Sequence, residues 1–173
     1  LPSDPTKSLR PHGAPSPPPC VYTHEQIHAL LSAARALPGE QKRGLTWYTM
    51  LHLLYACGLR VGELFRLELG DLDLGRRCLL IRQTKFYKDR LVPFNERVRE
   101  NLTGYLTWRR SFYAGNTPRD PVFLNRHHRR FSYGRFRQTF QALVGTAGIA
   151  PSTPGQRTAI HALRRTFAVH RLM

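Results

Sequence analysis

HALRRTF, residues 161–167, sets His161 and Arg164 three residues apart, and therefore on one face of a helix. Ile160, Leu163 and Phe167 form the apolar stripe beside them. Taken alone, the stretch is a helix with a basic outer face. Two upstream stretches carry related chemistry. In YACGLRVGEL, residues 55–64, Gly58 frees the backbone for a sharp entry and puts Arg60 at a helix start, where the dipole and free N–H groups favour an anion. Glu63 lies one turn on and could hold that guanidinium. TKFYKDRLVPF, residues 84–94, clusters Lys85, Lys88 and Arg90 around a tight turn between two strands. Read separately, these two are an ordinary surface Arg–Glu pair and a solvated hairpin tip.

The surrounding chain reads as mainly helical with a small β-sheet. Pro2, Pro5, Pro11, Pro15 and the run Pro17-Pro18-Pro19 make residues 1–19 an extended interdomain linker, with another domain expected upstream. Residues 20–173 are expected to form one domain. Thr23 and Gln26 have capping-box spacing, Ile27, Leu30, Leu31 and Ala34 follow at helical intervals, and Pro38-Gly39 ends that helix. A strongly apolar helix runs from about Leu45 to Cys57 and stops at Gly58, and a short one covers Arg60 to Leu67. Cys78–Ile81 and Arg90–Pro93 read as strands. Asn95 caps a helix striped by Val98, Leu102, Tyr105 and Leu106; Ser132 starts another with Phe136, Phe140 and Leu143. A last helix covers about Thr158 to Leu172.

Charge narrows the partner. Twenty-seven Lys+Arg against eleven Asp+Glu gives +16 and a pI near 11.0, which destabilises a compact chain by self-repulsion unless a polyanion relieves it. Asp120 is the last acid; from Pro121 to Met173 there are nine Arg and no carboxylate. Arginine far outnumbers lysine, which suits bidentate contact with phosphate oxygens. Nucleic acid is the leading partner, with Arg-favouring codon usage as the plain alternative. No apolar run reaches membrane-spanning length, so no membrane partner is expected. Cys20, Cys57 and Cys78 are odd in number and contain no CxxC pair, arguing against a disulfide frame or zinc site and for a reducing cytoplasm.

In their order, GLRVGEL, a lysine between two strands, and HxLRRTF resemble the catalytic domain of the tyrosine recombinases, the phage-integrase family. The resemblance covers roughly residues 20–173 and takes in Asp71 with Asp73, LVPF after the hairpin, and VFLNRHHRRFS before the following helix. It implies that family's α+β fold, mainly α with a small antiparallel sheet. It also implies a chemistry: a tyrosine hydroxyl attacks a DNA phosphodiester, leaving a 3′-phosphotyrosyl intermediate and a free 5′-hydroxyl, and a second strand reverses the step. Charge builds on the non-bridging oxygens at five-coordinate phosphorus, so fixed cations stabilise the transition state most.

By this resemblance Arg60 and Arg164 would clamp the phosphate and Lys85 would be the general acid, with Lys88 the weaker substitute. His161 would bond the phosphate or help deprotonate the tyrosine, and Glu63 would stand behind the phosphate contacts, holding Arg60. No metal or cofactor is required, since the guanidinium pair does the work metal ions do in many nucleases. The family supplies its nucleophilic tyrosine beyond the second arginine. Here nine residues follow Arg164, and Tyr22, Tyr48, Tyr55, Tyr87, Tyr105, Tyr113 and Tyr133 all precede the third motif. The expectation is a phosphate clamp without its nucleophile, unable to cleave DNA alone.

Lys88, Arg90, Arg126, Arg129, Arg130, Arg135, Arg137 and Arg165 are candidate contacts to double-stranded DNA, with a solvated basic face as the bland alternative. Family members act as DNA-bound tetramers; a monomer is expected for this chain, in a bacterial, DNA-associated setting. Other readings fit less well. Asp71-Leu72-Asp73 suggests a metal nuclease, but a turn role fits better; adjacent His127-His128 make poor metal ligands. A non-catalytic DNA-binding remnant would keep the basic surface and lose the chemistry. RNA stacking fits poorly, because most aromatics fall on apolar helix faces.

Overall fold

Helix α2 (Arg43–Ala56) is apolar around its circumference, and such a helix is stable only when neighbours cover every side. The computed structural model, which describes residues 20–39, 43–82, 88–150 and 159–172, surrounds it in that way. Helices α1 (His24–Arg35), α3 (Val61–Arg66), α4 (Glu96–Phe112) and α6 (Ile160–Leu172) all pack on α2. Helix α5 (Tyr133–Thr146) packs on α1, and its Phe136 ring stacks on Trp47 of α2 at 4.5 Å. Met50, Leu51, Leu53 and Leu54 are buried at the centre.

The helix starts follow local chemistry. Thr23 accepts from the Gln26 amide while the Gln26 side chain accepts from the Thr23 amide, the expected capping box. Asn95 accepts from the Val98 amide to start α4. Glu63 performs the reciprocal half of a cap at α3, accepting the Arg60 amide at 2.8 Å.

The sheet is antiparallel in the order β1 (Leu72–Asp73), β2 (Cys78–Ile81), β3 (Arg90–Pro93). The two longer strands are those read from sequence. Strand β1 and the 3-10 turn at Leu69–Asp71 were not, because two residues are too few to show an alternating pattern. Asp71 and Asp73 serve turns: buried Asp71 accepts the Glu68 amide and the Arg82 Nε at 2.6 Å, and Asp73 accepts the Arg76 amide. The mainly helical architecture with a small antiparallel sheet matches the expected fold class.

Buried Arg109 organises the connection after α4. It has no carboxylate partner among the described residues and donates instead to the carbonyls of Gly115, Pro121 and Val122 and to Asn116 Oδ1. The segment it holds pairs with the end of α3, through Val122 N to Leu67 O and Leu69 N to Asp120 O. Among the described residues no helix is long and apolar enough to cross a membrane.

Candidate functional site

Three arginines far apart in sequence meet at one buried carboxylate. Glu63 points inward from α3 with its side chain 2% exposed. Its Oε1 accepts from Arg60 Nη1 at 3.0 Å and from Arg90 Nη1 at 2.9 Å; its Oε2 accepts from Arg90 Nη2 at 2.8 Å. Arg164 Nη1 lies 4.0 Å from Oε2. Burial alone would raise the Glu63 pKa, yet hydrogen bonds from Arg90 and Arg60 hold it at about 2. The carboxylate is therefore ionised throughout the physiological range.

Local structure explains each arrival. Directly opposed residues in an antiparallel pair share a face, so Arg90, opposite buried Ile81, points toward α3. Arg60 is the N-cap of α3 and its side chain is about half exposed. Arg164 donates to Gly58 O at 2.5 Å. Gly58 has φ +59°, and a Cβ there would lie 2.4 Å from the Phe167 ring, so α6 seats directly on the turn that launches Arg60. Desolvation, then repulsion from Arg60, lowers the Arg164 pKa. Arg60 and Arg164 each keep exposed guanidinium surface.

His161 is exposed one turn before Arg164 on α6. The helix is fastened at both ends of this stretch by one residue. The Tyr22 amide donates to Thr166 Oγ1 at 2.9 Å, and the Tyr22 hydroxyl donates to Ala159 O at 3.3 Å. Lys85 and Tyr87, together with the whole of 1–19, lie outside the described residues.

Of the other basic candidates, Arg90 spends its fork on Glu63, and Arg130 donates to Phe65 O at 2.7 Å and to Glu68 at 3.2 Å. Arg126 donates from Nε to His127 Nε2. Lys88, Arg129, Arg135, Arg137 and Arg165 are exposed. Sequence reasoning put Arg90 among DNA contacts and missed its tie to Glu63. Its place opposite Ile81 fixes the face, and that register belongs to the paired strands rather than to the local sequence. Among the described residues no group of three or more His, Cys, Asp or Glu could hold a metal ion.

Most of the described tyrosines have a partner for their hydroxyl. Tyr22, Tyr105 and Tyr113 are buried, with hydroxyls given to backbone carbonyls and pKa values raised chiefly by burial. Tyr55 meets His170 Nδ1 at 2.9 Å, Tyr48 accepts from Asn101, and Tyr133 is exposed at the start of α5.

Residues 21–172 match the phage integrase family. The chain belongs to that family. It is 35% identical over 159 residues to the putative integrase/recombinase y4rB of Sinorhizobium fredii, covering 90% of this chain and 51% of that protein. It is also 35% identical to the tyrosine recombinase XerD of Xanthomonas axonopodis pv. citri, covering 98% of this chain and 55% of the relative. The crystal structure of XerA recombinase superposes with a TM-score of 0.73 at 29% identity, over 95% of this chain and 53% of that one. A Tn1549 transposon integrase, solved with a circular intermediate DNA, shares the fold with a TM-score of 0.71 at 21% identity. This integrase-family chain thus spans about half the length of the relatives it matches.

Proposed function

We propose that this integrase-family chain binds DNA and grips one phosphodiester for strand breakage and rejoining through a 3′-phosphotyrosyl link. The observation that carries this is the convergence of Arg60 and Arg164 beside buried Glu63, each with exposed guanidinium surface. Two planar forks held beside one carboxylate would match the equatorial oxygens of a five-coordinate phosphorus, where charge develops. Glu63 and Arg90 hold that pair in place before an anion arrives. His161, exposed on the same helix, would bond the phosphate or take the proton of the attacking hydroxyl. Lys85 would protonate the departing 5′-oxygen. Residues 20–173 act as the catalytic domain, 1–19 as its linker, and other protomers join on DNA.

The attacking hydroxyl is not one of the described tyrosines, whose hydroxyls are given to backbone carbonyls in Tyr22, Tyr105 and Tyr113 and meet Asn101 or His170 in Tyr48 and Tyr55. On a nicked suicide duplex the chain alone is expected to give no covalent protein–DNA adduct; an adduct would overturn this. Orthovanadate, a tetrahedral oxyanion with the shape and charge of phosphate, tests the clamp directly. Titration calorimetry should show binding by the native chain and loss in Arg60→Gln and Arg164→Gln. Undiminished binding in both variants removes the clamp assignment. No vanadate binding alongside intact DNA binding leaves a non-catalytic DNA-binding module.

A further inference from the structure

Arg164, Phe167 and His170 follow one another at intervals of three along α6, so neighbouring members of the set share a side of the helix. All three land on the last turn of α2 and the residues just after it. Arg164 donates to Gly58 O, the Phe167 ring covers Gly58, and His170 Nδ1 meets the Tyr55 hydroxyl at 2.9 Å. The first of these contacts orients a clamp arginine. The third, about 9 Å farther along the axis, fixes the last turn of the same helix.

His170 has a second neighbour of its own kind. The His24 ring, from the first residue of α1, stacks on it with centroids 3.9 Å apart and planes 25° from parallel. One imidazole therefore joins α6 to both α2 and α1. The charged and titratable groups around it are His24 and Glu25 from α1, Tyr55 from α2, and Arg171 from its own helix, whose guanidinium lies over the Phe167 ring. Desolvation, then repulsion from His24, lowers the His170 pKa, while the Tyr22 carbonyl and Glu25 favour a charge there. In the neutral ring Nδ1 can accept from the Tyr55 hydroxyl; in the protonated ring it can only donate. A further proton, on His24, sets two cations face to face.

We infer that His170 is a positioning residue: through Tyr55 and the His24 stack it seats the helix that presents Arg164, and a second proton on the stacked pair loosens that seat. The consequence for phosphate rests on the clamp reading above, whereas the seating of α6 depends on these contacts alone.

The test follows the Cε1–H resonances of His24 and His170 in the full chain from about pH 8 to pH 5, with amide exchange of α6 in parallel. The two rings should titrate in separated steps, and His24→Gln should raise the His170 midpoint by about half a pH unit. Protection of the amides from Phe167 to Arg171, taken relative to α5, should fall several-fold between about pH 7.5 and pH 5.5 in the native chain. It should change far less in His24→Gln. An unmoved His170 midpoint in that variant, or level protection in the native chain, overturns the proton response. Tyr55→Phe keeps the ring and removes the bond, so at pH 7.5 it should lower α6 protection and weaken orthovanadate binding about threefold. Native protection and native vanadate affinity in Tyr55→Phe overturn the positioning role. A native chain that binds no vanadate defeats the clamp reading, a separate failure, and the exchange data still decide how α6 is seated.

Discussion

Glu63 holds together charges that would otherwise repel. Replacing it with Gln keeps the shape and removes the counter-charge from Arg60, Arg90 and Arg164 at once. Breaking a buried ion pair by removing one partner costs about 3–5 kcal/mol, discounted here because the arginines are partly exposed. Urea denaturation of Glu63→Gln should therefore show a loss of about 2 kcal/mol or more, and vanadate binding should weaken with it. Arg90→Lys should also weaken vanadate binding, because an ammonium cannot reproduce the two parallel bonds. The pH dependence has a definite sign. The folded Glu63 pKa of about 2 lies below its ordinary 4.5, so its contribution is complete above pH 4.5 and is lost as pH falls toward 2. Glu63→Gln should remove that part of the acid sensitivity.

Between elements, the junction of α3 with α6 is the most exposed to a single change. Gly58→Ala meets two obstacles, a left-handed backbone and the Phe167 ring at 2.4 Å. A loss of about 2–4 kcal/mol is expected in denaturant titrations. Adding Phe167→Ala should recover part of it, since only the ring clash is relieved; full additivity would show that the two residues do not touch. The α2–α4 contact holds a different sensor. His52, buried and accepting from Asn101 Nδ2, has its pKa lowered to about 4 by desolvation and by Arg97. Folding is then weakened as pH falls from 6.5 toward 4, because the unfolded chain binds the proton more readily. His52→Gln should flatten the stability profile over that window, measured by melting temperature against pH.

The elements themselves were largely legible. Thr23 and Asn95 announced their caps, Pro38 and Gly58 their stops, and the apolar spacing of α1, α4 and α5 their buried faces. The pairing of Arg60 with Glu63 was also readable, since both sit on one short helix. The partners that come from elsewhere were not. Arg90 reaches Glu63 only through the register of β2 and β3, and Arg164 reaches Gly58 O only once α6 is docked. Buried Arg109, which among the described residues donates to three backbone carbonyls and to Asn116, left no periodic mark at all.

At the scale of the whole molecule the excess of positive charge dominates. A chain of +16 repels itself, and a bound polyanion relieves the strain while adding the linkage term of any ligand that prefers the folded state. Duplex DNA should raise the melting temperature by several degrees at low salt, and the gain should shrink at high salt. An equal rise from an uncharged polymer at the same mass would point to crowding instead.

The Tyr22 fastening has a mechanical meaning. Its amide and hydroxyl hold α6 at Thr166 and at Ala159, on either side of His161 and Arg164. A tug on the backbone at Cys20 is therefore delivered as a load along α6, with Tyr22 as the fulcrum. Strain applied at Cys20 would thus reach the helix that carries the two basic side chains at two points rather than one.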